Sequence, residues 1–254
     1  MGHVQEEIQL DDGNDNAKEV SPFGFGDKFG YLFGDFGGSL FFILVTSYLM
    51  VYYTDILHIS AAMVGILFMV ANIWNAFVDV LWGRFLDAKG NTKNGKFIPW
   101  IFRMSFPLVI AGVLMFVKIP GMSDGFYVAW AFVMYMLWGT LYSTVNIPYG
   151  SMASVITNDP VERTTLSSWR TMGSSLAMLI INVGGPLILF ENNIASANRF
   201  LLVAVIFGCL SLVCIMGCVR LTTERIVVSE REKKKGDFKR TAIGLVKKNP
   251  SFGC

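Results

Sequence analysis

Six long apolar stretches, separated by short polar segments, cover most of the chain between residues 33 and 219. A helix that crosses a bilayer needs about 20 predominantly apolar residues, and each stretch has about that length. The pattern therefore predicts an all-α membrane protein with six transmembrane helices, at residues 33–54, 61–82, 98–117, 126–148, 169–190 and 200–219.

The composition agrees with this fold class. Of the 254 residues, 53% are hydrophobic and 16% are charged, against about 25% charged residues in a typical soluble domain. The mean hydropathy is +0.51. Because so few polar residues remain to face water, a soluble fold is excluded.

The charged residues are concentrated at the two ends of the chain. Residues 1–20 hold six acidic side chains and one lysine, whereas residues 220–248 hold ten basic and four acidic ones. An acidic start is not a cleavable signal peptide, which begins with basic residues. We expect residues 1–28 to form a polar, disordered cytoplasmic tail, residues 29–219 a membrane bundle, and residues 220–254 a basic cytoplasmic linker. This distribution does not indicate a nucleic-acid partner.

Lysine and arginine residues in the loops predict the orientation, because cytoplasmic loops are enriched in them. With the N-terminus inside, 17 of the 21 basic residues fall in inner segments, and only Lys118 and Arg199 fall in outer loops. The other two, Arg103 and Arg170, lie within helices or at their ends. The pattern predicts a multi-pass protein of the plasma membrane with both termini in the cytoplasm.

The second predicted helix carries polar side chains on one face. An ionisable group inside a membrane is costly, so its presence suggests a function. Asn72, Asn75 and Asp79 are spaced by three and four residues and therefore share a face. Two interpretations of Asp79 remain open: a role in cation coupling or gating, and a salt bridge with Arg84 or Arg103.

The first predicted helix contains Asp35 within a glycine-rich run, residues 34–38. Glycines let helices approach closely, and they also let a helix unwind near a ligand. An acidic residue near a helix start is in addition stabilised by the helix dipole. Close packing is the simpler interpretation, and Asp35 is not assigned to a site.

The fourth predicted helix carries aromatic and amide side chains at helical spacing, namely Tyr135, Trp138, Tyr142, Asn146 and Tyr149. A ring face can stack on the C–H groups of a sugar while an amide bonds its hydroxyls, so the stripe is compatible with a sugar site. Helix packing or an aromatic belt at the membrane interface is the alternative.

No catalytic or metal-binding set of residues is apparent in the sequence. The four cysteines and two histidines form no ligand cluster, and no nucleophile–base pair or Walker-type loop is present. Neither an enzyme nor an ATP-driven pump is predicted. Arg170, at the start of the fifth helix, has the simple interpretation of an arginine that reaches the membrane interface.

Several short motifs stand in order along the chain: Gly34-Asp35-Phe36-Gly37, Tyr52-Tyr53-Thr54-Asp55, Gly95-Lys96-Phe97-Ile98-Pro99-Trp100, Asn146-Ile147-Pro148-Tyr149-Gly150 and the run 159–170. Together, from about residue 24 to about residue 224, they resemble the glycoside–pentoside–hexuronide:cation symporters. This is the group within the major facilitator superfamily that includes melibiose permease.

The resemblance implies the N-terminal half of a twelve-helix fold in which a sugar binds between two six-helix halves. It also implies uptake of a glycoside, pentoside or hexuronide driven by H⁺ or Na⁺, with no other cofactor. By position, Ser39 and Asn146 stand where family members carry sugar-binding aspartates, and Arg170 is similar to an arginine near that site. With Tyr142 and Tyr149 of the aromatic stripe, they form the expected substrate-binding set.

The same resemblance implies a cation site at Asn75, Asp79 and Ser143. The sequence departs from the sodium-using members here, because only Asp79 keeps its carboxylate and Val78 stands where they carry an asparagine. Sodium needs several hard oxygen ligands, preferably charged, so proton coupling is favoured over sodium. The motif at residues 146–150 is more similar to the xyloside and glucuronide members, which favours a xyloside, pentoside or glucuronide as the solute.

If the site lies between two six-helix halves, this chain contributes only one of its walls. Polar groups on that wall would be unsatisfied against lipid. We therefore expect a fragment that is completed by a missing C-terminal six-helix half or by a second chain. Two alternatives to sugar symport remain open: a carrier of a lipid or another organic solute on the same fold, and a non-transporting membrane remnant or regulator.

Overall fold

The computed structural model describes residues 22–90, 95–191 and 194–226. Within these ranges, six helical segments are long and apolar enough to cross a membrane, which confirms the predicted number of spans. Their helices are α1 (Phe25–Val51), α2 (Ala61–Ala88), α3 (Ile98–Met115), α4 (Asp124–Ile156), α5 (Pro160–Leu179) and α7 (Ala197–Leu221). The expected tail as far as residue 21 and the expected linker from residue 227 onward lie outside the described residues.

Two of the spans include π-helical turns. α1 continues through the π-helical turn Tyr52–Ile56. α5 continues through a second one, Ile180–Gly184, into the short helix α6, Gly185–Leu189. A two-residue antiparallel ribbon follows, formed by β1 (Phe190–Glu191) and β2 (Ile194–Ala195), in which Phe190 pairs with Ala195.

Polar caps fix where several helices begin. The side chains of Ser60, Ser123 and Asp159 each accept a hydrogen bond from a backbone N–H in the first turn of α2, α4 and α5. Such caps satisfy amides that have no partner within the helix. Pro160 then occupies the first position of α5, where a missing N–H costs nothing.

The fifth helix begins at Pro160, earlier than the predicted residue 169. The apolar pattern missed its first turns because they are polar. The hydroxyls there donate to carbonyls one turn back, as Thr164 does to Pro160 and Ser168 does to Thr164. The helix thus satisfies its own polar side chains and extends beyond the apolar stretch. α1 likewise begins at Phe25, ahead of the predicted span.

α1 is packed between α5 and α7, while α3 and α4 complete the bundle and α2 packs on α4. Glycines make the close contacts of α1 possible. A Cβ atom added at Gly37 would lie 2.8 Å from the Ser211 carbonyl oxygen, and one at Gly173 of α5 would lie 2.5 Å from the Leu32 carbonyl oxygen. Gly38 has no such neighbour. α1 stays helical through the glycine run, so close packing is the role of Gly37.

One end of the bundle is rich in basic residues, and we call it the basic end; Lys28, Arg84, Lys96, Arg163 and Arg225 lie there. The segment that follows α7 ties helices together at this end. Glu224 accepts hydrogen bonds from the backbone N–H groups of Lys96, Phe97 and Ile98 at the start of α3. Arg225 forms a two-pronged ion pair with the buried Asp27 of α1, with N–O distances of 3.0 and 2.8 Å.

Candidate functional site

Two cavities lie on either side of α4 and share part of their lining. The first has a volume of about 450 Å³ and lies between α1, α4 and α5. The second has a volume of about 340 Å³ and lies between α1, α2 and α4. Phe42, Tyr142 and Asn146 line both cavities. Both volumes fall in the range of small-ligand sites, which is about 300–1,000 Å³.

The first cavity brings together four of the five expected substrate-binding residues. Ser39 comes from α1, Tyr142 and Asn146 come from α4, and Arg170 comes from α5. Hydroxyl groups of α5 complete the polar lining, at Thr171, Ser174 and Ser175. The wall therefore offers a guanidinium, an amide and several hydroxyls next to aromatic ring faces.

Arg170 has a carboxylate partner that the sequence analysis did not assign. Its Nε donates to Oδ1 of Asp35 over 2.9 Å, and the other oxygen of Asp35 accepts from the Ser39 hydroxyl over 3.4 Å. The Asp35 side chain is 11% exposed and the Arg170 side chain is 38% exposed. Asp35 therefore neutralises the charge of Arg170 at the cavity wall and leaves the guanidinium accessible.

Tyr149 lies behind this pair rather than in the first cavity. Its ring stacks on Tyr31 with centroids 4.8 Å apart, and its hydroxyl donates to the backbone carbonyl of Tyr31. The guanidinium carbon of Arg170 lies 5.2 Å from the centroid of the Tyr149 ring, a distance at which a cation is attracted to a ring face. Tyr149 thus supports Arg170, and it lines a smaller adjoining cavity together with Asp35 and Ser39.

The second cavity brings together the three expected cation-coupling residues. Asn75 and Asp79 of α2 and Ser143 of α4 line it, and Asn72 joins them. The Asn75 side chain packs closely against α4. A Cβ atom added at Gly139 of that helix would lie 2.6 Å from Nδ2 of Asn75. Its Oδ1 is buried and has no hydrogen-bond partner among the described residues. A buried amide oxygen without a partner, in the lining of a cavity that also holds a carboxylate, can accept a hydrogen bond from water or ligate a cation.

Asp79 itself is exposed on the surface of α2. Within the described ranges, it forms no ion pair with Arg84 or Arg103, the partners that the structural interpretation of Asp79 would require. The carboxylate therefore faces the second cavity without a basic partner from this part of the chain. An intramembrane acid in that position is a functional candidate.

The aromatic stripe of α4 has a double role in the structure. Tyr142 and Trp138 stack on each other with centroids 5.4 Å apart, and Phe42 of α1 stacks on Tyr142 at 5.0 Å. Trp138 is buried and Tyr142 is half-buried at the cavities. Part of the stripe is packing, as the alternative interpretation expected, and Tyr142 also presents its ring to both cavities. Phe42 was missed because its role depends on its neighbour on another helix.

A bundle of six membrane-crossing helices with polar cavities along α1, α2, α4 and α5 is the architecture of a solute carrier. A family profile described as MFS/sugar transport protein matches residues 30–251. The chain belongs to this family of transporters within the major facilitator superfamily, and its bundle is the N-terminal six-helix half of that fold. The family is one of transporters rather than of enzymes.

Named relatives agree with this assignment. The chain is 37% identical to the isoprimeverose transporter of Lactiplantibacillus pentosus over 226 residues, which is 88% of this chain and 46% of that protein. It is 32% identical to the glucuronide carrier protein homolog of Escherichia coli K12 over 199 residues, or 78% of this chain and 43% of that protein. A third relative, a putative sulfoquinovose importer of Salmonella typhimurium, is 32% identical over 225 residues, or 88% and 47%. The chain spans about half the length of these relatives.

Proposed function

We propose that this chain forms the sugar-binding half of a cation-coupled glycoside symporter in the plasma membrane, with both termini in the cytoplasm. The observation that carries the proposal is the lining of the first cavity. Ser39, Asn146, Arg170 and the Tyr142 ring converge there from three helices. These are the groups that a sugar needs, because its hydroxyls both donate and accept while its C–H face packs on a ring.

The proposed solute is a xyloside, another pentoside or a glucuronide. The support comes from the relatives, whose names include an isoprimeverose transporter and a glucuronide carrier protein homolog. The size of the first cavity, about 450 Å³, leaves room for one or two sugar rings on this wall. The opposite wall would come from a second six-helix half, in the same polypeptide or in another chain.

The proposed coupling ion is H⁺ rather than Na⁺. Asp79 supplies the single carboxylate among the described residues that line the second cavity, and Asn75 and Ser143 supply neutral oxygens. Hard cations are held by several oxygens, preferably charged ones, whereas a proton needs one titratable group. We therefore assign the coupling role to Asp79, with Asn75 and Ser143 as its neighbours.

Uptake by membrane vesicles from cells that express the natural gene tests this function. We expect accumulation of radiolabelled methyl β-D-xyloside or a glucuronide when the vesicle interior is made alkaline, and no accumulation when a protonophore is present. N146A should lower uptake, whereas N198A, which changes an exposed asparagine at the opposite end of the bundle, should leave it unchanged. Failure of any glycoside to enter or compete would contradict the proposal and favour a different organic solute.

The mass of the natural protein from its own membranes tests the need for a second half. A mass near 28.2 kDa, the mass of this chain, would require a partner chain to complete the site. About twice that mass would mean that both halves lie in one polypeptide. Uptake by purified protein of the smaller mass, with no partner present, would contradict the two-half proposal.

A further inference from the structure

We propose that Asp35 is a solute-binding residue and that Asp35 and Arg170 together recognise two neighbouring hydroxyl groups of the sugar. The inference rests on the proposed function, because it specifies which groups of the glycoside the first cavity would bind. Neither the motif comparison nor the acidic character of Asp35 assigns it this role. The geometry around Arg170 does.

The carboxylate of Asp35 lies close to the position where the resemblance implies an acidic sugar-binding residue. In this chain, Ser39 stands where the family resemblance implies a sugar-binding aspartate. Asp35 lies one helical turn earlier on the same face of α1, and its Oδ2 accepts from the Ser39 hydroxyl over 3.4 Å. Residues four apart in a helix are neighbours on its surface. The structure therefore supplies a carboxylate to the same wall of the cavity, one turn away from the expected position.

Asp35 and Arg170 keep hydrogen-bonding capacity beyond their contact with each other. An ionised carboxylate can accept about four hydrogen bonds, and a guanidinium carries five N–H donors. The contact between Asp35 and Arg170 uses one of each, over 2.9 Å. Both residues line the first cavity, so acceptors and donors lie side by side at its wall.

Neighbouring side chains hold both Asp35 and Arg170 in place. Arg170 packs on the ring of Tyr149, which is fixed in turn by stacking on Tyr31 and by its hydrogen bond to the Tyr31 carbonyl. Ser39 holds the second oxygen of Asp35. Groups held in place before a ligand arrives lose little entropy on binding. The pair is therefore prepared for a ligand.

The chemistry of the ligand follows from this arrangement. One hydroxyl can donate to the carboxylate while its neighbour accepts from the guanidinium, which is the arrangement that adjacent ring hydroxyls of a sugar present. A solute without neighbouring free hydroxyls cannot bridge the two groups. The pair would thus distinguish an unsubstituted sugar ring from a deoxy or methylated one.

A cycle that combines protein variants with sugar analogues tests the inference. Methyl β-D-xyloside and its 2-, 3- and 4-deoxy analogues compete for uptake by wild-type protein and by D35N, in vesicles as above. A hydrogen bond to a charged group is worth about 10- to 100-fold in affinity. We expect the wild type to lose about that factor at each of two adjacent positions. D35N should lose much less at one of them, where the hydroxyl donates to Asp35, and should keep the loss at the other, where the hydroxyl accepts from Arg170.

Controls separate binding from support. D55N changes an exposed acid at the far end of the same span and should behave as wild type. If Asp35 only holds Arg170 in place, D35N will weaken all analogues by one common factor, and that result overturns the inference alone. If no glycoside competes in wild type, the proposed function and the inference fail together. If D35N does not reach the membrane, D35E must lose its discrimination at the position whose hydroxyl donates to Asp35; retained discrimination there overturns the inference.

Discussion

Replacing Glu224 by alanine should destabilise the basic end of the bundle. Its carboxylate accepts from three consecutive backbone N–H groups, with N–O distances of 2.8 Å to Phe97 and 2.7 Å to Ile98. The third donor is Lys96. These amides open α3 and have no partner within the helix. One side chain that follows α7 therefore caps a helix that begins more than a hundred residues earlier.

The expected magnitude follows from the number of bonds. Hydrogen bonds to a charged group are each worth about 1.5–3 kcal/mol, and a negative charge at a helix N-terminus adds about 0.3–1 kcal/mol. Glu224 is half-buried, so water can replace the carboxylate at some of the amides. We therefore expect E224A to lower the free energy of unfolding by about 2–4 kcal/mol, less than the sum of the separate contributions.

Thermal unfolding in detergent, followed by tryptophan fluorescence, measures this loss. For a chain of this size the melting temperature changes by about 2–4 °C per kcal/mol, so E224A should melt about 5–15 °C below wild type. E224Q keeps one acceptor oxygen without the charge and should fall between the two. D87N, at an exposed acid near the end of α2, is the matched control. An E224A melting temperature equal to that of D87N would refute the assignment of Glu224 as a cap.

Three further predictions follow from the same contacts. R225M removes the cationic partner of the buried Asp27 carboxylate, which among the described residues keeps only backbone N–H donors, and should cost about 3–5 kcal/mol in unfolding free energy; the double variant with D27N should recover part of this in the same melting assay, and no recovery would contradict the pairing. G139A places a methyl group 2.6 Å from Nδ2 of Asn75 and should reduce proton-driven uptake while G125A, at a glycine with open space, does not. D79N should abolish accumulation driven by a pH gradient yet leave the affinity for xyloside within about threefold of wild type. That affinity is measured by the change in tryptophan fluorescence when xyloside is added. Equal accumulation by D79N and wild type would contradict the coupling role.

The sequence predicts the number of helices because the membrane imposes it. A span needs an apolar run of sufficient length, and such runs are visible without any knowledge of neighbours. The bounds are less well predicted, as α5 shows: Thr164 and Ser168 are polar, yet their hydroxyls are satisfied by carbonyls of the same helix. A hydropathy pattern does not reveal these hydrogen bonds within the helix.

The contacts between distant residues were not predictable in the same way. The residues alone suggested an interfacial arginine at Arg170, which only the resemblance placed in the substrate-binding set, and a close-packed run around Asp35. The sequence separation of 135 between them gives no indication of their pairing. Glu224 likewise falls in a stretch that composition identifies only as a charged linker. A short charged segment gives no periodic signal, so its partners become visible only when the helices are placed.

The placement of α4 gives the two proposed sites a physical connection. Tyr142 and Asn146 lie one turn apart on α4 and line both cavities, and Phe42 of α1 stacks on Tyr142 between them. Coupling between an ion and a solute requires that occupation of one site change the affinity of the other. A solute that contacts Tyr142 or Asn146 touches the same side chains that border Asp79 and Ser143. A movement of the single turn of α4 that carries Tyr142 and Asn146 would alter the lining of both cavities at once. Coupling between the two proposed sites therefore requires no series of intervening residues to connect them.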